Sequence, residues 1–194
     1  GFIEDGFVTL IEVRGVHDEK VIEEFGSVFE IPVPVQSDIA NTTRLPEIES
    51  RSGFIFLSLK MLSGEYIMDA SEVEQISLVL GDNYLISFQE SGDDDFEKVD
   101  TILELNRGNI RQSGSDYLTF VLVDTVVDSY FPAIDIVNGQ IDEVERNIIS
   151  SPDDEVLEQI YKIKRETTIG RQIVTPMREV VSSLASYDYP QISP

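Results

Sequence analysis

Two different periodicities divide this chain, and their order limits what it can fold into. Between Phe54 and Gln89 the apolar residues come in short runs: Phe54 to Leu62, Tyr66 to Asp69, Glu72 to Leu80 and Tyr84 to Gln89. The separators Ser63-Gly64-Glu65 and Gly81-Asp82-Asn83 are turn-type sequences, so these runs predict strands that pair as antiparallel hairpins. From Asp116 onward no strand signal remains. Ile134, Val137, Ile141, Val144 and Ile148 recur at spacings of three and four. The pattern resumes at Val156, Ile160, Ile163, Thr167, Gly170, Val174, Met177, Val181 and Leu184. An average period of 3.5 predicts an apolar seam between two long packed helices.

The flanking signals agree with that division. Phe7 to Val13 is rich in β-branched and aromatic residues and predicts a strand ending at Gly15. His17 to Phe29 then reads as a short amphipathic helix. With two prolines, Ile31 to Asp38 reads as a loop or a single turn. The polar break at 91–95 leads into Phe96, Val99, Ile102, Leu103 and Leu105, a further helix. Ser151, Pro152 and the acids Asp153, Asp154 and Glu155 form a helix start, so the two long helices are expected to lie antiparallel as a hairpin. Pro132 and Pro176 are expected to kink them.

Charge restricts function. The 194 residues carry 37 acids against 14 bases, a formal net charge of -23. Such a field repels nucleic acid and anionic lipid and draws in cations or basic partners. There is no cysteine, and His17 is the one histidine, so thiolate and histidine-rich sites for zinc or copper cannot be built. Any bound metal is expected to be a hard, oxygen-seeking one. The same lack removes cysteine nucleophiles, and no phosphate-cradling glycine loop is present, so no enzyme is expected. The longest apolar run is Phe54 to Leu62, interrupted by Ser58 and Lys60. A membrane span needs about twenty residues, so the chain as given is expected to be soluble, without a signal peptide.

Acids furnish every candidate site. Asp124 and Asp128, four apart among Val121, Leu122, Val123, Val126 and Val127, share a helix face and repel each other. Like charges in so apolar a segment are expected to cost stability through repulsion and desolvation, and a divalent cation relieves both. The plainer reading of the other acidic clusters is a solvated surface.

A family resemblance rests on ordered segments. Phe54-Ile-Phe-Leu-Ser-Leu-Lys-Met61, Glu74-Gln-Ile-Ser-Leu-Val-Leu80, Tyr84-Leu-Ile-Ser-Phe-Gln-Glu90, Asn106-Arg-Gly-Asn-Ile-Arg111, Asp116-Tyr-Leu118, Asp124-Thr-Val-Val-Asp-Ser-Tyr-Phe131 and Pro176-Met-Arg-Glu-Val180 occur in sequence. Together they resemble the soluble domain of CorA magnesium and cobalt transporters, over nearly the whole chain. The resemblance implies an α/β fold: an α/β/α sandwich with a mixed, largely antiparallel sheet over 1–114, shortened at its start. A long acidic helical hairpin over 115–194 follows, leading to a stalk and membrane segment beyond Pro194. It also implies a homopentamer at the cytoplasmic face of the cell membrane, in which Mg²⁺ or Co²⁺ bound between identical subunits holds the channel closed. By that resemblance Asp38 and Asp124 are metal-site ligands. Ser37 stands where the family has a second acid, and Leu45 and Glu47 stand at basic positions. The alternatives are the related zinc-transporter branch and an acidic helical scaffold that binds basic partners.

Overall fold

A computed structural model describes residues 7–62, 73–91, 96–105, 110–150, 154–186 and 189–193. Five strands, β1 (Thr9–Arg14), β2 (Glu47–Arg51), β3 (Phe54–Leu62), β4 (Val73–Leu80) and β5 (Tyr84–Gln89), form one sheet in the order β1-β5-β4-β3-β2. β1 runs parallel to β5, and the other pairings are antiparallel. The expected mixed, largely antiparallel sheet is present. Gly81 closes the β4–β5 hairpin, its N–H donating to the carbonyl of Tyr84 at 2.9 Å. The strand expected at Tyr66 to Asp69 lies outside the described residues.

Helices cover both faces, which is why β3, β4 and β5 read as nearly unbroken apolar runs rather than as clean alternations. On one face α1 (Glu19–Val28) and α2 (Val33–Ala40) bury Ile22, Val35 and Ile39 against Phe54, Phe56, Val79, Ile86 and Phe88. Phe25 packs edge-on against Phe88, with ring centroids 5.7 Å apart. On the other face α4 (Ser115–Asp128) and α6 (Asp154–Ser186) meet Ile55, Leu57, Leu59, Ile76, Leu78 and Leu85. The short helix α3 (Glu97–Glu104) adds Val99 to that second core.

Two local expectations change. The stretch expected to be a loop at Ile31 to Asp38 is largely helix α2. Its prolines sit where a helix tolerates them: Pro32 is the N-cap residue, and Pro34 lies in the first turn, where an amide has no intrahelical partner. Strand β2 carries no apolar run, because as an edge strand it shows charged residues to solvent.

The helical hairpin forms from α5 (Tyr130–Ser150) and α6, joined across 151–153, which lie outside the described residues. Pro132 falls in the first turn of α5, and the helical run breaks just before it at Ser129. That break is tied to the sheet: the Leu62 N–H donates to Ser129 Oγ at 3.1 Å, and the Tyr130 hydroxyl donates to the Lys60 carbonyl. Pro176 lies inside α6.

The seam is rotated from its expected position. The α6 residues that bury are Val156, Glu166, Ile173, Met177 and Val180, while Ile134, Ile141, Val174 and Val181 remain exposed. Glu166 is thus 1% exposed, and its Oε1 has no hydrogen bond. Lys162 Nζ stands 3.8 Å away on a largely exposed side chain. Burial raises the Glu166 carboxyl above its ordinary range, and Lys162 opposes that only in part. A raised carboxyl means the fold favours the protonated form. The stability tied to this group is complete below the ordinary carboxylate range and is lost as pH rises through the raised value. Glu166→Gln is therefore expected to raise the melting temperature at pH 7, by about 1–3 kcal/mol in stability, and to match wild type near pH 4 in calorimetry.

Candidate functional site

Asp38 is positioned by the end of α2. Val35 and Ile39, four apart, turn one face of this helix onto the sheet and leave Asp38 half-buried at its margin. Two side chains from the central strands hold the helix end. Gln75 Nε2 donates to the carbonyls of Asp38 at 3.2 Å and Ile39 at 3.5 Å, and Lys60 Nζ donates to the carbonyl of Thr42 at 2.6 Å. Burial lowers the Lys60 ammonium from its ordinary value, and the nearby charge of Glu90 works against that shift.

Beyond α2 the chain reverses, with the Thr43 N–H donating to Asn41 Oδ1 at 3.2 Å. This turn brings Arg44 back over Asp38. Its guanidinium donates to Asp38 Oδ1 through Nη1 and to Glu47 Oε1 through Nη2. Glu47 and Glu49 are two apart on β2 and project on the same side of the sheet. One carboxylate oxygen from each of Asp38, Glu47 and Glu49 lies within 4.8 Å of the other two. Among the described residues this is the one such group of three acids. It is an all-oxygen donor set, suited to a hard divalent cation, with Arg44 as its internal counter-charge.

Asp124 and Asp128 lie on α4. Leu118, Leu122 and Val126 seat that helix on the sheet, and Ser115 Oγ anchors its start by donating to the carbonyls of Gly81 at 2.8 Å and Asp82 at 3.0 Å. Asp124 and Asp128 point the other way and are exposed, so the desolvation expected for them does not arise. Asp124 borders a hollow of about 300 Å³ with Phe120, Val123, Val181, Leu184 and Ile192. At its rim Asp116 accepts from the Ser193 N–H at 2.9 Å and from the Ser193 hydroxyl. Burial pushes the Asp116 carboxyl up, but the hydrogen bonds from Ser193 and Tyr117 outweigh it and hold the group below the ordinary carboxylate range.

The two predicted ligand groups are therefore not brought together. Asp38 belongs to the α1/α2 face of the sheet and Asp124 to the α4/α6 face, with the sheet between them. Glu47 and Glu49 were missed as candidates. Glu47 reads only as a missing base in the sequence, whereas the alternation Glu47-Ile48-Glu49 is the signal that aligns two acids on one strand face.

The chain matches the family described as CorA-like Mg2+ transporter protein over residues 10–194, and it belongs to that family. It is 33% identical over 183 residues to the cobalt/magnesium transport protein CorA of Thermotoga maritima, covering 94% of this chain and 52% of that protein. The chain thus spans about half the length of that relative. The complete CorA magnesium transporter of Methanocaldococcus jannaschii has the same fold, with a TM-score of 0.76 at 14% identity, over 98% of this chain and 59% of that one. The ZntB cytoplasmic domain of Vibrio parahaemolyticus shares it too, with a TM-score of 0.72 at 11% identity, over 90% of this chain and 68% of that one. No helix among the described residues is long and apolar enough to cross a membrane.

The tether of α2 makes the placement of Asp38 testable. Gln75→Ala leaves the carbonyls of Asp38 and Ile39 without their buried donor. A loss of about 1–3 kcal/mol in urea denaturation is expected, with an unchanged slope.

Proposed function

We propose that this chain is the ion-sensing part of a divalent-cation transporter. It lies on the cytoplasmic side of the membrane, and Mg²⁺ or Co²⁺ bound between identical subunits favours the closed channel. The sheet-bearing segment 1–114 carries one half of each site and the helical segment 115–194 the other. The chain acts by binding rather than by catalysis, in keeping with relatives named as transport proteins.

One observation carries this reading: Asp38 and Asp124 occupy opposite faces of the same sheet. A cation that uses both must join the Asp38 face of one chain to the Asp124 face of the next. Such a contact is head-to-tail, the kind that closes into rings, and five copies is the ring the family resemblance implies. Asp128, one turn beyond Asp124, adds a second carboxylate to that side.

Magnesium sheds its water reluctantly, so the carboxylates act largely through metal-bound water. Glu47 and Glu49 supply the anionic charge that Ser37 does not. Arg44 competes for the same oxygens, so the cation must displace or outweigh it, and a weak site results. The all-oxygen set and the absence of cysteine favour Mg²⁺ or Co²⁺ over zinc. A cation that binds the closed ring better stabilises it, and the closed ring in return binds the cation better.

Thermal unfolding against Mg²⁺ and Co²⁺ tests the reading. Saturation at a hundredfold excess over the dissociation constant corresponds to about 2.7 kcal/mol. The wild-type chain is expected to fall short of that at millimolar Mg²⁺. Asp38→Asn and Asp124→Asn should each reduce the response, and Arg44→Gln should enlarge it. A wild-type response that neither aspartate substitution changes, or no response at all, contradicts the proposal.

A further inference from the structure

Between α5 and α6 lies a hollow of about 510 Å³, within the size range of small-molecule sites. Its walls are largely apolar, Leu62, Ile134, Val137, Ile141, Ile173 and Val174, with Asn138, Thr167 and Thr175 as exposed polar side chains. One buried carboxylate, that of Glu166 in the seam, lines this hollow and lacks a hydrogen-bond donor at Oε1. Arg171 also lines it, exposed to solvent. Lys162 Nζ, at 3.8 Å, is beyond hydrogen-bond reach of Oε1.

A buried carboxylate without a donor is costly, and the cheapest relief is a cation that brings its own hydrogen bonds. Water meets that need poorly in a space walled by aliphatic side chains. A hydrated metal ion does so no better, since the largely aliphatic walls leave most of its shell without partners. The complementary ligand has a small charged head and a hydrocarbon body. Its ammonium offers three donors to Glu166, and its chain covers Ile134, Ile141 and Val174, which are otherwise partly open to solvent. The net charge of -23 raises the local concentration of any such cation.

We propose that the α5–α6 hollow is a binding site for small amphipathic organic cations, of the alkylammonium class, with Glu166 as the charged anchor. The site is separate from the acids assigned to divalent-cation sensing, and its failure would leave that assignment untouched.

The test compares n-hexylammonium with 1-hexanol, equal in length but neutral, by titration of the full chain at pH 7 with methyl NMR detection. Wild type is expected to bind the ammonium about tenfold more tightly than the alcohol, with shifts concentrated at Ile134, Val137, Ile141, Ile173 and Val174. Glu166→Gln should keep alcohol binding and lose the preference. Its expected gain in stability at this pH separates lost binding from unfolding. Equal binding of the two ligands, a preference that survives in Glu166→Gln, or no shift with either overturns the proposal. So does sedimentation as a dimer with these methyls silent, which would place a second copy in the hollow.

Discussion

The burial of both faces of the central strands β3, β4 and β5 governs the rest of the structure. Because Phe56 and Phe88 need a cover on one side and Leu57 and Leu78 on the other, the chain must deliver helices to both. α1 and α2 take the first side, and α4 and α6 take the second. That division separates Asp38 from Asp124 within one chain. The same hydrophobic demand that builds the domain therefore divides the two proposed ligands, and in the proposed function a neighbouring chain reunites them.

Much of this was legible in the sequence. The apolar runs and turn-type separators between Phe54 and Gln89 mark the sheet, and the change of period after Asp116 marks the helical part. What escaped was set by tertiary context. Glu47 to Arg51 has a single apolar residue, Ile48, because an edge strand at the sheet margin is stabilised largely by its pairing with β3. Val33 to Ala40 forms a helix despite Pro34, because Val35 and Ile39 find the sheet and the proline falls in a turn that needs no donor. In the hairpin, the seam at Glu166 rather than Thr167 reflects the competing pull of the sheet. α6 must also bury Ile173, Met177 and Val180 against the sheet core, and that rotates the helix.

The candidate site was half legible. Asp38 came from family resemblance, Asp124 from both resemblance and helical spacing, and Asp128 from helical spacing, but none of these signals places a carboxylate in space. The cluster with Glu47 and Glu49 exists only because the turn after α2 folds Asp38 onto the β2 edge. Arg44 in that cluster gives the site an internal competitor. A divalent cation and a guanidinium cannot both neutralise the same oxygens fully, so any cation bound there competes with Arg44 and is held weakly.

Cross-linking tests the central claim, that the Asp38 face of one chain meets the Asp124 face of another, most directly. The chain has no cysteine, so single exposed thiols can be placed beside each face as Ser37→Cys and Phe120→Cys. Under mild oxidation the account predicts that the two variants, mixed, form a disulfide between chains in yield that rises with Mg²⁺ and falls with chelator. A yield independent of Mg²⁺, or no heterologous cross-link at all, would contradict it.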